Sequence, residues 1–360
     1  MDVLERVKKT LVERGLAGPD NPVLLMVSGG SDSVALAYLG KQLQDDGAVG
    51  MVAMLHVNHL LRGEDSNADQ AFVEQLAQVL GLPVFTCQID VAQLVQRSGE
   101  NMEAVARHER YLAANEALES LCLHASAPLA DGRIFTAHTA DDRVENFYMR
   151  SIVGTGPGGF RSMMYENGPV VRPCLDLGRQ DLRDYVEARE AAGQPCACDA
   201  EGALWREDAT NAHTDRFRAY VRHELVPVAK ARNPKLLETL TRSMNLIADE
   251  DDMLDAMAVD AARDCVRWEG DFYAAVLLPS FGKQPLPIAR RVVFGVLQQF
   301  LGVEARVETA TVDGVLGAFA DGAPVSGYTA NVQGDLAVSA NKRGVRVEPM
   351  AAYRARRKKA

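Results

Sequence analysis

Apolar and polar positions follow two rhythms in the first half of the chain. Short continuous apolar runs occur at 23–27 ("VLLMV", after a proline), in "VGMVAMLHVNH", in "PVFTCQI", in "RIFTAHT" and around Val170. Such runs read as strands covered on both faces. Between them, "SVALAYLGKQLQ", "AFVEQLAQVLG", "NMEAVARHERYLAANEALESL", "ADDRVENFYMRSIV" and "RQDLRDYVEAREA" space their apolar residues as helices do. The alternation predicts βαβ units, and hence an α/β fold with a parallel sheet and helices on both faces. In front of it, "MDVLERVKKTLVERGL" predicts an amphipathic helix with Val3, Leu4, Val7 and Leu11 on one face. The segments after "HVNH" and after "PVFTCQI" read as loops.

Beyond Arg222 the rhythm turns helical, through the long stretch "PKLLETLTRSMNLIADEDDMLDAMAVDAARDCV" and then "PLPIARRVVFGVLQQFLG" and "ETATVDGVLGAFADG". Terminal strands are expected in "YTANVQGDLAVSA" and "GVRVEP". The two prolines of "VPVAKARNP" mark the best boundary. The expected organisation is a catalytic domain over 1–228, a mainly helical accessory domain over 229–340 and a basic tail over 341–360.

At 360 residues, 47% apolar and 24% charged, the chain has the composition of an ordinary globular protein. It has no run of eighteen apolar residues, and its first helix is no signal peptide, so a cytoplasmic location with no membrane partner is expected. The net charge of −10 is unevenly spread. Arg206, Arg216, Arg218 and Arg222 crowd one stretch and "YRARRKKA" ends the chain, and a local basic surface suffices for nucleic acid because salt screens charge within about 10 Å. The six cysteines are scattered, and Cys196 and Cys198 form C-x-C rather than paired C-x-x-C clusters.

The chemistry starts at "VSGGSDS". A strand-to-helix turn leaves first-turn amides unpaired at the positive end of the helix dipole, which is a phosphate site. Gly29 and Gly30 let backbone approach an oxyanion, and Ser28, Ser31 and Ser33 add hydroxyls. Asp32 is the odd member, assigned to Mg²⁺ or to the reaction centre. No lysine follows Gly30, so this is not a Walker loop. Further polar groups end other strands: His56, Asn58, His59 and Arg62, then His138, Asp141, Asp142 and Glu145. Asp142 and Glu145 share a helix face and suit either Mg²⁺ or a substrate ammonium. Arg107 and Arg110 lie one turn apart, with Glu103 four residues before Arg107.

S-G-G-S-D-S after a first strand resembles the PP-loop of the ATP pyrophosphatases. The pieces "HVNHLLRGEDSNADQAFVEQLA", "NMEAVARHERY", "TAHTADDRVENFYMRSIVGTGPGGFRSM", "VVRPCLDLGRQDLRDYV" and "WREDATNAHTDRFRAYVRHELVPV" follow in the order found in one of its families, the tRNA(Ile)-lysidine synthetases. That resemblance implies ATP-dependent ligation of free lysine to the wobble cytidine of a tRNA(Ile) with a CAU anticodon, through an adenylated cytidine. It implies ATP held by Ser28–Ser33 with His56, Mg²⁺ at Asp32 or Glu145, and a reaction centre of Asp32, Arg107, His138, Asp142 and Glu145. RNA contacts are expected at Arg62, Arg216, Arg222 and His223. Two alternatives are a PP-loop tRNA thiolase, disfavoured by isolated cysteines, and a nucleotide-binding module without turnover. The helices after residue 235 leave room for a homodimer.

Overall fold

The computed structural model describes residues 2–207, 217–270, 273–302 and 305–359. It divides into two compact units, Met1–Asn245 and Leu246–Ala360. The division falls inside a long helix.

The first unit is a six-stranded sheet in the order β3-β2-β1-β4-β6-β5. Its strands are β1 (Val23–Met26), β2 (Val52–Asn58), β3 (Val84–Gln88), β4 (Arg133–Phe135), β5 (Glu166–Asn167) and β6 (Val170–Val171). All pairings are parallel except β5 with β6. Its helices are α1 (Val3–Glu13), α2 (Ser31–Asp45), α3 (Glu64–Leu80), α4 (Val91–Ser98), α5 (Met102–His124), α6 (Ala140–Val153), α7 (Pro157–Phe160), α8 (Arg179–Ala191), α9 (Phe217–Tyr220) and α10 (Val226–Arg232). A π-helical turn, Val221–Leu225, joins the last two, and α11 (Leu236–Cys265) carries the division between units.

The central strands β1, β2 and β4 are largely apolar because both their faces are buried. Leu25, Met54 and Phe135 pack with α1, α2, α3 and α8 on one face. Their neighbours Leu24, Leu55 and Ile134 pack with Ala114, Leu118 and Leu121 of α5 on the other. β1 pairs with β2 on one side and β4 on the other, so the chain leaves it at the switch point where open α/β sheets bind ligands. Gly40 brings α2 close to β1, since a Cβ there would sit 2.5 Å from Leu25 Cδ1. That approach packs the middle of α2 tightly against β1.

The stretch expected as a loop after β3 holds α4. Asp90 caps it, accepting from Gln93 N at 2.9 Å, and Gly99 ends it in the left-handed region.

The second unit is built on an antiparallel sheet, β11-β12-β13-β8-β7. It contains β7 (Val266–Glu269), β8 (Ala274–Leu277), α12 (Leu286–Leu301), α13 (Thr309–Leu316), the pair β9 (Phe319–Ala320) and β10 (Ala323–Pro324), β11 (Thr329–Val332), β12 (Leu336–Asn341), β13 (Gly344–Pro349) and α14 (Met350–Lys359). Val292, Val293 and Leu297 of α12 pack with Leu277, Val338 and Val347 of the sheet. The expected terminal strands are present, and β7 and β8 join them. The segment expected as a tail is strand β13 followed by helix α14. Arg356 docks that helix by donating to Glu348 at 2.6 and 3.1 Å, and Glu348 is fully buried. No helix among the described residues is long and apolar enough to cross a membrane.

Candidate active site

The loop between β1 and α2 is shaped by its own side chains. Ser33 Oγ accepts from the amides of Ser28 (3.1 Å) and Gly29 (3.2 Å) and donates to Gly30 O at 2.9 Å. That hydroxyl is therefore committed inside the loop and does not face a ligand. The amides of Ser31, Asp32 and Ser33 open α2 and have no intrahelical partner, which leaves them for an anion. Arg206 closes the loop from outside, its amide donating to Gly29 O at 2.9 Å. Its side chain is tied to Asp69 and Asp199 at 3.1 Å each.

Gly29 has φ +97°. A methyl group there would find space, the nearest atom being Arg206 Cγ at 3.6 Å, so backbone strain of about 1–2 kcal/mol is the obstacle. Gly29→Ala is expected to lower Tm by a few degrees and to lose the stabilisation that ATP gives the native chain. A thermal-shift titration with ATP checks both.

At the end of β4, Thr139 caps α6, and its amide and hydroxyl donate to Asp142 Oδ2 at 2.9 and 3.0 Å. This turns Asp142 Oδ1 outward, where it accepts from Arg218 at 2.7 Å and Arg179 at 3.3 Å. One turn on, Glu145 is 1% exposed. Its oxygens accept from Arg222 at 2.7 and 2.9 Å and from Arg218 at 3.0 Å. Arg179, at the start of α8, also donates to Asp32 Oδ2 at 3.1 Å, which joins the phosphate loop to the acidic pair. Asp141 holds that guanidinium's helix in place, accepting from Arg179 N and from Lys230 Nζ at 2.7 Å each.

The electrostatics follow from who shares whom. Burial opposes ionisation of Asp142, but Arg179, Arg218 and the Thr139 amide outweigh it and hold the carboxyl below its ordinary range. Arg179 is likewise desolvated, yet Asp142, Asp32 and Glu145 together raise its basicity. Asp32 goes the other way. Burial raises its pKa, and Asp142 nearby adds repulsion that one shared guanidinium does not cancel.

His138 rests its Nδ1 on Thr136 Oγ1 at 2.9 Å, and His59 pairs its Nε2 with Arg110 at 3.2 Å. Burial is the main cause that lowers both to about 4, with Arg110 reinforcing it at His59. Both imidazoles are neutral at pH 7. The unfolded chain binds their protons more readily, near pH 6.5, so stability is expected to fall as pH drops from 6.5 towards 4. Urea midpoints at pH 7 and pH 5 check this, and His138→Asn should flatten the fall.

The other expected site residues fall into place unevenly. His56 is buried with Nδ1 on Val27 O at 2.9 Å, beneath the entry to the loop. Arg62 is tied to Asp69 at 2.7 Å. His223 is exposed on the π-helical turn. Arg107 is exposed on α5, over the Tyr111 ring. Arg216 lies outside the described residues. Sequence reasoning missed Arg179 as a site residue, and no local signal marks it.

Residues 2–229 match the PP-loop domain family, and the chain belongs to that family. Among its relatives, a tRNA(Ile)-lysidine synthase of Thermus thermophilus is 38% identical over 293 residues, covering 80% of this chain and 51% of that protein. The tRNA(Ile)-lysidine synthase of Geobacter sulfurreducens is 31% identical over 315 residues, covering 87% of this chain and 62% of that one. The chain thus spans between 51% and 62% of the length of these two relatives. A U34-tRNA thiolase of known structure from Methanococcus maripaludis aligns over 68% of this chain and 78% of its own, at 13% identity and a TM-score of 0.49.

Proposed function

We propose that the chain is an ATP-dependent ligase that joins free lysine to the wobble cytidine of a tRNA(Ile) with a CAU anticodon. The observation that carries this reading is the bridge from Asp32 through Arg179 to Asp142 and Glu145. It puts a phosphate-binding turn and a buried acidic pair within reach of one guanidinium, which suits a reaction between a nucleotide and an amine. The named relatives give the substrate class.

In the first step the cytidine C2 oxygen attacks the ATP α-phosphate and pyrophosphate leaves. In the second, the lysine ε-amino group attacks C2, AMP departs with the oxygen, and a proton is released. The Ser28–Ser33 turn holds the phosphates through the amides of Ser31, Asp32 and Ser33. Arg107 offsets charge on the leaving group, and neutral His138 is positioned to accept a hydrogen bond or a proton at the reaction centre. Asp142 and Glu145 receive the lysine ammonium where Arg218, 44% exposed and bonded to both carboxylates, gives way.

Among the described residues no cluster of three or more His, Cys, Asp or Glu suits a metal. Mg²⁺ needs only one or two carboxylates beside nucleotide phosphates, and Asp32 fits that requirement. Both oxygens of Glu145 already accept from guanidinium groups, so we assign the cation to Asp32. When bound, the ion neutralises phosphate charge. Arg62, Arg216, His223 and the basic helix α14 are offered as RNA backbone contacts, which position without reading sequence, whereas Arg222, expected among them, is committed to Glu145.

Incubation with ATP, labelled lysine and bulk tRNA tests the reading. Label in RNA that requires both ATP and lysine supports it. ATP binding without label favours a module without turnover, and lysine-independent sulfur incorporation favours a thiolase.

A further inference from the structure

The ion pairs described above do not include Arg172. Arg172 directly follows β6 and is 8% exposed. Its Nη1 donates to Met164 O at 2.9 Å, and its Nε has no partner. Burial lowers its basicity, the Tyr111 hydroxyl supports its charge and nearby Arg107 opposes it; no carboxylate contributes. Arg107, over Tyr111 with its guanidinium 5.3 Å from the ring centre, is not ion-paired among the described residues either.

Tyr111 is the neighbour the two share: Arg107 lies over its ring, and its hydroxyl meets Arg172. Thr136 N donates to Val171 O at 3.0 Å, so the ends of β4 and β6 lie in register, with Thr136 bonded to His138 on one strand and Arg172 starting beyond the other. Both Arg172 and Arg107 contribute to the field at His138. The neighbouring Arg179, Arg218 and Arg222 all have carboxylates, and this pair has none. A buried guanidinium without a counter-ion destabilises a fold, and guanidinium groups recognise phosphate oxygens well.

We infer that Arg172 and Arg107 form a second oxyanion site, separate from the Ser28–Ser33 turn, that takes a phosphate group of the reaction. The identity of that phosphate rests on the ligase reading: it is either the pyrophosphate released from ATP or an RNA phosphodiester beside the modified base. The site itself does not depend on that reading.

The test uses the full chain and two variants, Arg172→Met and Arg107→Met, the second at an exposed position that tolerates change. Inorganic pyrophosphate binding is measured by calorimetry, and bulk tRNA binding is measured across salt concentrations. A loss of pyrophosphate affinity of about tenfold or more in both variants, with tRNA affinity kept, assigns the leaving group. Weaker tRNA binding with a salt slope reduced by about one, and pyrophosphate affinity kept, assigns the RNA phosphate.

Removing an uncompensated charge should leave the Tm of Arg172→Met unchanged or higher, and pyrophosphate or tRNA should stabilise it less than the native chain. Unchanged affinities for both ligands in folded variants overturn the inference. So does a destabilised Arg172→Met whose partner variant Arg107→Met binds both ligands as the native chain does. If the native chain makes no lysine-dependent product yet loses pyrophosphate affinity in both variants, the ligase reading fails and the anion site stands.

Discussion

Asp32→Asn is expected to slow lysine-dependent AMP release by about 100-fold or more, the effect of removing one well-placed charge from a reaction centre, while leaving the protein at least as stable as before. The two halves of this expectation come from the same burial. Desolvation, reinforced by Asp142, raises the folded-state pKa of Asp32 above its ordinary value. A carboxyl with a raised folded-state pKa binds its proton more tightly folded than unfolded, so its contribution to stability is full at low pH and is lost as pH rises through the folded-state value. At pH 7 the ionised carboxylate is a standing penalty, which asparagine removes at nearly the same shape. Arg179 keeps Asp142 at 3.3 Å and Glu145 at 3.6 Å, so the substitution does not strand it. Tm at pH 7 should hold or rise, and the difference from the native chain should shrink as acid protonates Asp32. A fall in Tm at pH 7 would show the Asp32–Arg179 pair to be a net stabiliser, and retained activity would remove Asp32 from the chemistry.

Residues whose role is set by local backbone geometry were legible. The strand-to-helix turn at Ser28–Ser33, the helix Ala140–Val153 and the acidic pair on it follow from apolar spacing and glycine placement, and the structure has them there. Helix α4 carried its signals too, an Asp cap and a left-handed glycine, but eight residues give a weak periodicity. β7 and β8, four residues each, are too short to mark themselves. The bridge was not legible at all. Arg179 reads as an ordinary first-turn residue of α8, and its partners lie 147 and 37 positions away. Only the closing of the sheet at β1, β4 and β6 brings them together. Ser33 shows the converse: its place in the loop was evident, but its hydroxyl turns inward to fix the loop, a detail that spacing does not encode.

The largest loss of stability is expected from Glu145→Ala. The carboxylate is 2% exposed, and its three partners are 23%, 44% and 24% exposed for Arg179, Arg218 and Arg222. Breaking a buried pair from one side strands the other charge, which costs about 3–5 kcal/mol. Three guanidinium groups would be left facing Asp142 and Asp32. Arg218 can turn its head into water, and solvent already screens part of its charge, so the low end, about 3 kcal/mol, is the expected figure. For a unit of this size that is a fall in Tm of roughly 10 °C. Glu145→Gln keeps an acceptor for one donor and should fall between the two. Because Glu145 is so buried, added salt should change the difference little, unlike a surface pair. In a double-mutant cycle, Arg222→Met should be less harmful in the Glu145→Ala background than in the native one, since the stranded cation is then gone. Thermal unfolding of the four chains decides it: losses that simply add would mean that Glu145 fills space and holds no charge network.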